Sequence, residues 1–230
     1  MSDDEADGVP TILTLADWRR RIGSLYADVR RLAATDPAAA LEHWRSTREE
    51  LFREHPQSPL PAERRSTFRA HHFDHDPSLR FELAVEPVEP VEARSTTPAI
   101  DFGSGPASLT IDLPVSAGGA MAFRRFGAVT IPLAAGPRRL EIYWMDGYAG
   151  GLFLPFRDAT NGADTYGAGR YLLDAAKSAD LGGDRVAGTL VVDFNFAFQP
   201  SCAFDPKWAC PLAPPANRLD VPIRAGERLT

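Results

Sequence analysis

The chain has 230 residues, 44% of them apolar and 10% aromatic, which is enough for a core and excludes wholesale disorder. Its formal net charge of −6 at pH 7 excludes the broad basic footprint that nucleic acid requires, and the bunched Arg19, Arg20 and Arg21, like Arg64 and Arg65, read as solvated faces. No apolar run approaches the ~20 residues of a membrane-spanning helix, so neither nucleic acid nor a membrane is expected as a partner.

The chain opens Met1-Ser2-Asp3-Asp4-Glu5-Ala6-Asp7-Gly8, the reverse of a basic, then apolar, secretory leader. Residues 1–13 are therefore read as a disordered acidic tail on a cytoplasmic protein. Thr14-Leu15-Ala16-Asp17 has the form of a capping box. Behind it Leu15, Trp18, Ile22, Leu25, Tyr26, Val29 and Leu32 recur at helical spacing. Asp36-Pro37 supplies an N-cap and a proline at the first position of a second helix, which carries Leu41, Trp44, Leu51 and Phe52 and fades near His55-Pro56. Two such helices cannot bury both stripes alone, so residues 14–66 are expected to pack on the remainder of the chain.

From Phe68 the period changes to two, and 20 prolines and 18 glycines punctuate the chain. Leu109, Ile111, Leu113 and Val115 alternate with polar residues or proline, as do Val129, Ile131 and Leu133, and then Leu140, Ile142 and Trp144. Residues 81–85, 152–156 and 171–173 are shorter strand candidates, and residues 86–98 read as an exposed loop. The clearest strand is 190–198: Leu190, Val192, Phe194, Phe196 and Phe198 should face the core, leaving Asp193 and Asn195 on the opposite face, about 7 Å apart by strand rise. Short connections leave no room for crossover helices. The expected fold is mainly β (α+β): an antiparallel β-sandwich or partly closed barrel over residues 67–230, with the two N-terminal helices against it.

The block Asp193-Phe194-Asn195, Pro200-Ser201-Cys202-Ala203-Phe204, Cys210-Pro211-Leu212, Asn217-Arg218-Leu219 and Ala225-Gly226-Glu227 resembles a bacterial and archaeal domain-of-unknown-function family, number sixteen eighty-four. Residues 154–162 and 165–172 match its second signature, and His55-Pro56-Gln57-Ser58-Pro59-Leu60 resembles its opening element. At Phe198-Gln199 the family pattern favours Tyr-Asn. The resemblance implies no activity and brings no catalytic residues with it.

Candidate site residues come from polarity at these positions. Arg157, Asp158, Thr165, Tyr166, Arg170 and Tyr171 make the segment between strands unusually polar. Arginine suits bidentate binding of a carboxylate or phosphate, while Arg170 could equally pair with Asp193 or Asp158 to satisfy a buried carboxylate. Residues 158–162 also read as a turn, with Asn161-Gly162 tolerating positive φ. Asp193, Asn195 and Asn217 complete the ligand-binding candidates.

Cys202 and Cys210, the only cysteines, are separated by seven intervening residues in a Pro-rich loop, as structural thiols, a bridge or a redox pair. His71-His72-Phe73-Asp74-His75-Asp76 is the most metal-like run, but it matches no ligand template, and no metal site is assigned. Gly103-Ser104-Gly105 lacks the lysine of a phosphate loop, no Gly-x-Ser-x-Gly elbow occurs, and Asp146-Gly147 reads as a turn; the cofactor is left open. The expected function is binding of a small polar or anionic ligand by Arg170, Asp193, Asn195 and Tyr166. The alternative is a hydrolase-like enzyme with Asp193 or Asp158 as general base beside Arg170. The oligomeric state is left open.

Overall fold

A computed structural model describes residues 9–88, 110–146 and 150–229. The acidic residues 1–8, the Gly103–Gly105 segment, Leu109, Gly147 and most of the 86–98 loop lie outside the described residues. Helix α1 spans Val9–Ala33 and α2 Pro37–Glu54, followed by the single turn α3, Ala62–Arg65. The strands are β1 (His71–His72), β2 (Arg80–Ala84), β3 (Glu86–Pro87), β4 (Thr110–Pro114), β5 (Ala120–Leu133), β6 (Gly136–Met145), β7 (Gly151–Phe156), β8 (Arg170–Asp174), β9 (Thr189–Asp193) and β10 (Glu227–Arg228).

Both helical stripes are buried as their spacing requires, through Trp18, Ile22, Leu25, Tyr26 and Val29 on α1 and Leu41, Trp44, Leu51 and Phe52 on α2. Asp36 caps α2 by accepting from the Ala39 amide at 2.9 Å, with Pro37 at the first helical position. The start of α1 differs from expectation. Residues 9–13, read as tail, are helical, and Thr14 lies within the helix, its hydroxyl donating to the Thr11 carbonyl at 2.8 Å. A hydroxyl that can bond either a following amide or a preceding carbonyl does not by itself fix where a helix starts.

All named strand pairings are antiparallel. The main sheet runs β5-β6-β7-β8, with β3 and β4 both paired to β5, while β2–β9 and β1–β10 form two-stranded ribbons. The sheets do not close into a barrel. The main sheet is covered on both faces. On one side Phe123, Tyr143, Phe153 and Tyr171 pack with the helices; on the other Val129, Ile131, Ile142, Leu154 and Phe156 pack with Val192 and Phe194. Each such buried side chain stabilises the fold by roughly 1.5–3 kcal/mol.

Strand β5 serves both cores because its register shifts between Arg125 and Gly127. One inserted residue exchanges the faces, so Phe123 points to the helices while Val129 and Ile131 point away from them. A side chain at Gly127 would collide with Val85, which explains a glycine in the middle of a strand.

The strand read over 190–198 is shorter than its alternation suggested. β9 ends at Asp193, and Phe194–Phe196 form a 3-10 turn. The Asp193 carboxylate accepts from the Asn195 amide at 2.9 Å, giving the backbone a local partner in place of a strand neighbour. Phe194, Phe196 and Phe198 are still all buried.

Candidate functional site

The conspicuous polar residues form structural clasps. In the 158–162 turn, Asp158 accepts from the Thr160 amide at 2.6 Å and from its hydroxyl, while Asn161 accepts from the Asp158 amide at 2.7 Å. Asn161 also donates to the Thr165 hydroxyl at 2.9 Å and to the Tyr166 carbonyl at 3.0 Å. Gly162 takes the positive φ of 84° that the turn requires. The second Asp158 oxygen meets Arg170 Nη2 at 2.6 Å, and both side chains are 0% exposed. Arg170 further donates to the carbonyls of Ile223 at 2.8 Å, Glu227 at 3.1 Å and Ala225, over the ring of Phe156. Its two Nη atoms are therefore engaged by the protein, while Nε is buried without a hydrogen-bond partner. Arg157, half-buried, donates to the Gly167 carbonyl at 2.9 Å.

Asn217 is 0% exposed and stands in for a missing stretch of strand. It accepts from the Glu141 amide at 2.8 Å and donates to the carbonyls of Glu141 at 2.8 Å and Pro155 at 2.7 Å, groups that β6–β7 pairing leaves beyond its register. Asn195 clasps Asp76 likewise, accepting from its amide at 2.9 Å and donating to its carbonyl at 2.8 Å.

Asp193 and Asn195 are not spread along one strand face: the Asn195 side chain donates to Asp193 at 2.8 Å. Arg80 is 3.5 Å from the same carboxylate. Burial pushes Asp193 above its ordinary value against these favourable contacts. Its charge is therefore a cost at neutral pH, relieved as pH falls. Asp193→Asn keeps an acceptor for Asn195 and removes that cost. Urea unfolding at pH 7 is expected to place the variant within about 1 kcal/mol of wild type; a larger loss would mean that Arg80 contributes more than burial takes away.

The His71–Asp76 run is also dispersed. His71 and His72 form β1 opposite Arg228 and Glu227, and Asp76 caps the 77–79 turn. Burial pushes His72 down to about 4. Among the described residues no three His, Cys, Asp or Glu side chains converge as a metal would need.

A cleft of about 260 Å³ opens elsewhere, between the start of α1, the turn after α2, the helix-facing side of the sheet and the Cys-Pro loop. Trp18, Phe123, Phe153, Tyr171 and Trp208 line it, together with the buried Asp174, the half-buried Lys177 and the exposed Arg19. Lys177 lies 3.4 Å from Asp174 and 5.6 Å from the centre of the Tyr171 ring. Trp208 is held by its indole N–H donating to the Pro59 carbonyl at 3.0 Å, and the Tyr171 hydroxyl donates to the Pro211 carbonyl. Cys210 lies in the wall, and the Cys202 amide donates to its sulfur at 3.3 Å. Both thiols are free and buried. Tyr166, half-buried, is pushed up to about 12, by burial and by its hydrogen bond to Cys202.

Of the residues singled out in the sequence, Tyr171 and Cys210 line this cleft, and Cys202 lies beside Cys210. The structure gathers Asp158, Thr165 and Arg170 in one buried network and places Asp193, Asn195 and Asn217 in separate clasps. Trp18, Phe123, Phe153, Asp174, Lys177 and Trp208 were missed as a group. A large aromatic in a Pro-rich loop, Trp208, was the one available signal.

The sequence model of a family described as "Protein of unknown function (DUF1684)" matches residues 68–228. A solution NMR structure of an uncharacterized protein from Haloarcula marismortui is 30% identical with a TM-score of 0.57, over 85% of this chain and 96% of that one. No curated protein matches.

Proposed function

Because the chain belongs to the DUF1684 family, for which no activity is described, the reading must come from its geometry, and we propose that it is a binding module for a small amphipathic anion held in the cleft beside Trp208. The observation that carries this is the lining. Five aromatic side chains offer an apolar bed, and the charged side chains beside it are Arg19, Lys177 and Asp174. Arg19 and Lys177 give two cations against the single carboxylate of Asp174, which favours an acidic end group over a basic one. Ligand pockets span roughly 300–1,000 Å³, so a cleft near the lower bound suits a compact ligand.

Decanoate and the neutral decanol are suitable probes, followed by calorimetry and by the fluorescence of Trp18 and Trp208. Ala176 is an exposed residue in the lining, so Ala176→Trp fills the cleft without disturbing the core. Decanoate is expected to bind wild type and to lose at least about tenfold in affinity, or about 1.4 kcal/mol, in this variant. Lys177→Met should weaken decanoate several-fold while leaving decanol unchanged. No binding of either probe, or equal binding by Ala176→Trp, would refute the proposal.

A further inference from the structure

Cys202 lies in the 3-10 turn Ser201–Ala203, and Cys210 follows where the Pro-rich loop returns to the sheet. The loop is anchored on both sides of Cys210. Its amide donates to the Ser116 hydroxyl at 3.0 Å, its carbonyl accepts from the Ser116 amide at 2.9 Å, and the next carbonyl accepts from Tyr171. This anchoring sets Cys210 Sγ 3.3 Å from the Cys202 amide, which donates to it, so the two cysteines lie side by side. They are the only two cysteines in the chain, they are not joined, and one forms part of the cleft wall.

We propose that Cys202 and Cys210 are a redox-active dithiol, converted reversibly to an intramolecular disulfide by exchange with small disulfides that enter the cleft. The cleft is needed only as the route to Cys210, so the proposal stands whether or not an amphipathic anion binds there.

The surroundings supply what exchange requires, a thiolate near neutral pH. Cys202 is pushed down to about 6, chiefly because the Cys210 thiol donates to its sulfur; burial opposes this, and the hydroxyls of Ser116 and Tyr166 and the charge of Lys177 support it. Cys210 is pushed up by the same shared proton and by burial. The pair thus loses one proton readily and holds the other between the two sulfurs.

Cys210 is the cysteine that lines the cleft, so attack starts from the less populated arrangement in which the shared proton has passed from Cys210 to Cys202. A bond forms from Cys210 Sγ to one sulfur of the incoming disulfide, its S–S bond breaks, and the first thiolate leaves and takes a proton from solvent. Cys202 then gives up its proton and attacks Cys210 Sγ of the mixed disulfide. The second thiolate is expelled and accepts that proton. Two protein thiols are oxidised and one disulfide is reduced to two thiols, so atoms and electrons balance.

The test uses the folded full-length protein and bis(2-hydroxyethyl) disulfide at pH 7. Intact mass spectrometry is expected to show a loss of about 2 Da and no adduct, reversed by dithiothreitol. Peptide mapping should link Cys202 to Cys210. Cys202→Ser should instead stop at a single mercaptoethanol adduct on Cys210, and Cys210→Ser should react at least about tenfold more slowly, because its remaining sulfur does not line the cleft. Thiols in wild type that react only after unfolding would overturn the proposal, as would a Cys210→Ser variant that reacts as fast as Cys202→Ser.

Discussion

Arg170→Met is expected to destabilise the protein by about 3–5 kcal/mol, a large part of the roughly 5–15 kcal/mol available to a domain. The fully buried guanidinium faces Asp158 and three carbonyls, and its removal leaves a carboxylate uncompensated in the interior. Arg170→Lys should recover little, since one ammonium cannot span the acceptors that a planar fork reaches. Arg170→Met combined with Asp158→Ala should recover part of the loss by removing the orphaned charge, while Ile223, Ala225 and Glu227 keep unpaired carbonyls. Urea midpoints at pH 7 with an unchanged slope give these differences. A loss below about 1 kcal/mol for Arg170→Met would show that water reaches Asp158 when the arginine is gone.

The second large effect concerns Glu227. Its carboxylate receives Arg48 at 2.5 and 3.3 Å and the Gln199 amide at 2.8 Å, while the Arg48 guanidinium lies 4.4 Å from the centre of the Phe52 ring. Burial alone would raise Glu227, but Arg48, with His72 and the Gln199 amide, holds the group below its ordinary 4.5. A depressed carboxylate stabilises the fold above its unfolded value, and that contribution disappears as pH falls through the folded value, hence below about 4.5. His72 acts earlier. A histidine pushed down from 6.5 to about 4 favours the fold fully above 6.5, and this advantage is lost between those two values as pH falls. Stability should therefore decline in two stages on acidification. Glu227→Gln is expected to cost about 3 kcal/mol at pH 7 and to remove the later stage. His72→Phe should remove the earlier one. Denaturation midpoints from pH 7.5 to 3.5 separate the two, and a single stage that both variants leave intact would reject this assignment.

The helices and most strands were legible because their apolar spacing is regular and each buries a single stripe or face. Strand β5 shows the limit: Val129 and Ile131 announce a strand, but nothing in the residues around Phe126 reveals the extra residue that turns Phe123 to the other core. At 190–198 alternation continued past the true end of the strand, because the Asp193 cap is a local hydrogen bond that a period-two pattern does not register. The site was the least legible part. Arg170, Asp193, Asn195 and Asn217 stood out because they are polar among apolar neighbours, and that same setting obliges them to satisfy buried groups. The cleft draws its walls from α1, β5, β7, β8 and the Cys-Pro loop, and its aromatics look like ordinary core until the chain is folded.

The pairing of β1 with β10 has a consequence for how the molecule is made. Arg48 and Glu227 are 179 residues apart, and His71 and His72 find their partners only in Arg228 and Glu227. The Arg170 clasp likewise waits for the carbonyls of residues 223–227. During synthesis the helices and the central meander can assemble first, but Arg48 lacks its carboxylate, and Arg170, already beside Asp158, lacks its three carbonyls, until residues 223–227 have been made. Closing contacts of such long sequence separation make the last step slow and all-or-none. A chain stopped at residue 222 would carry nearly the whole hydrophobic core and still lack its fasteners.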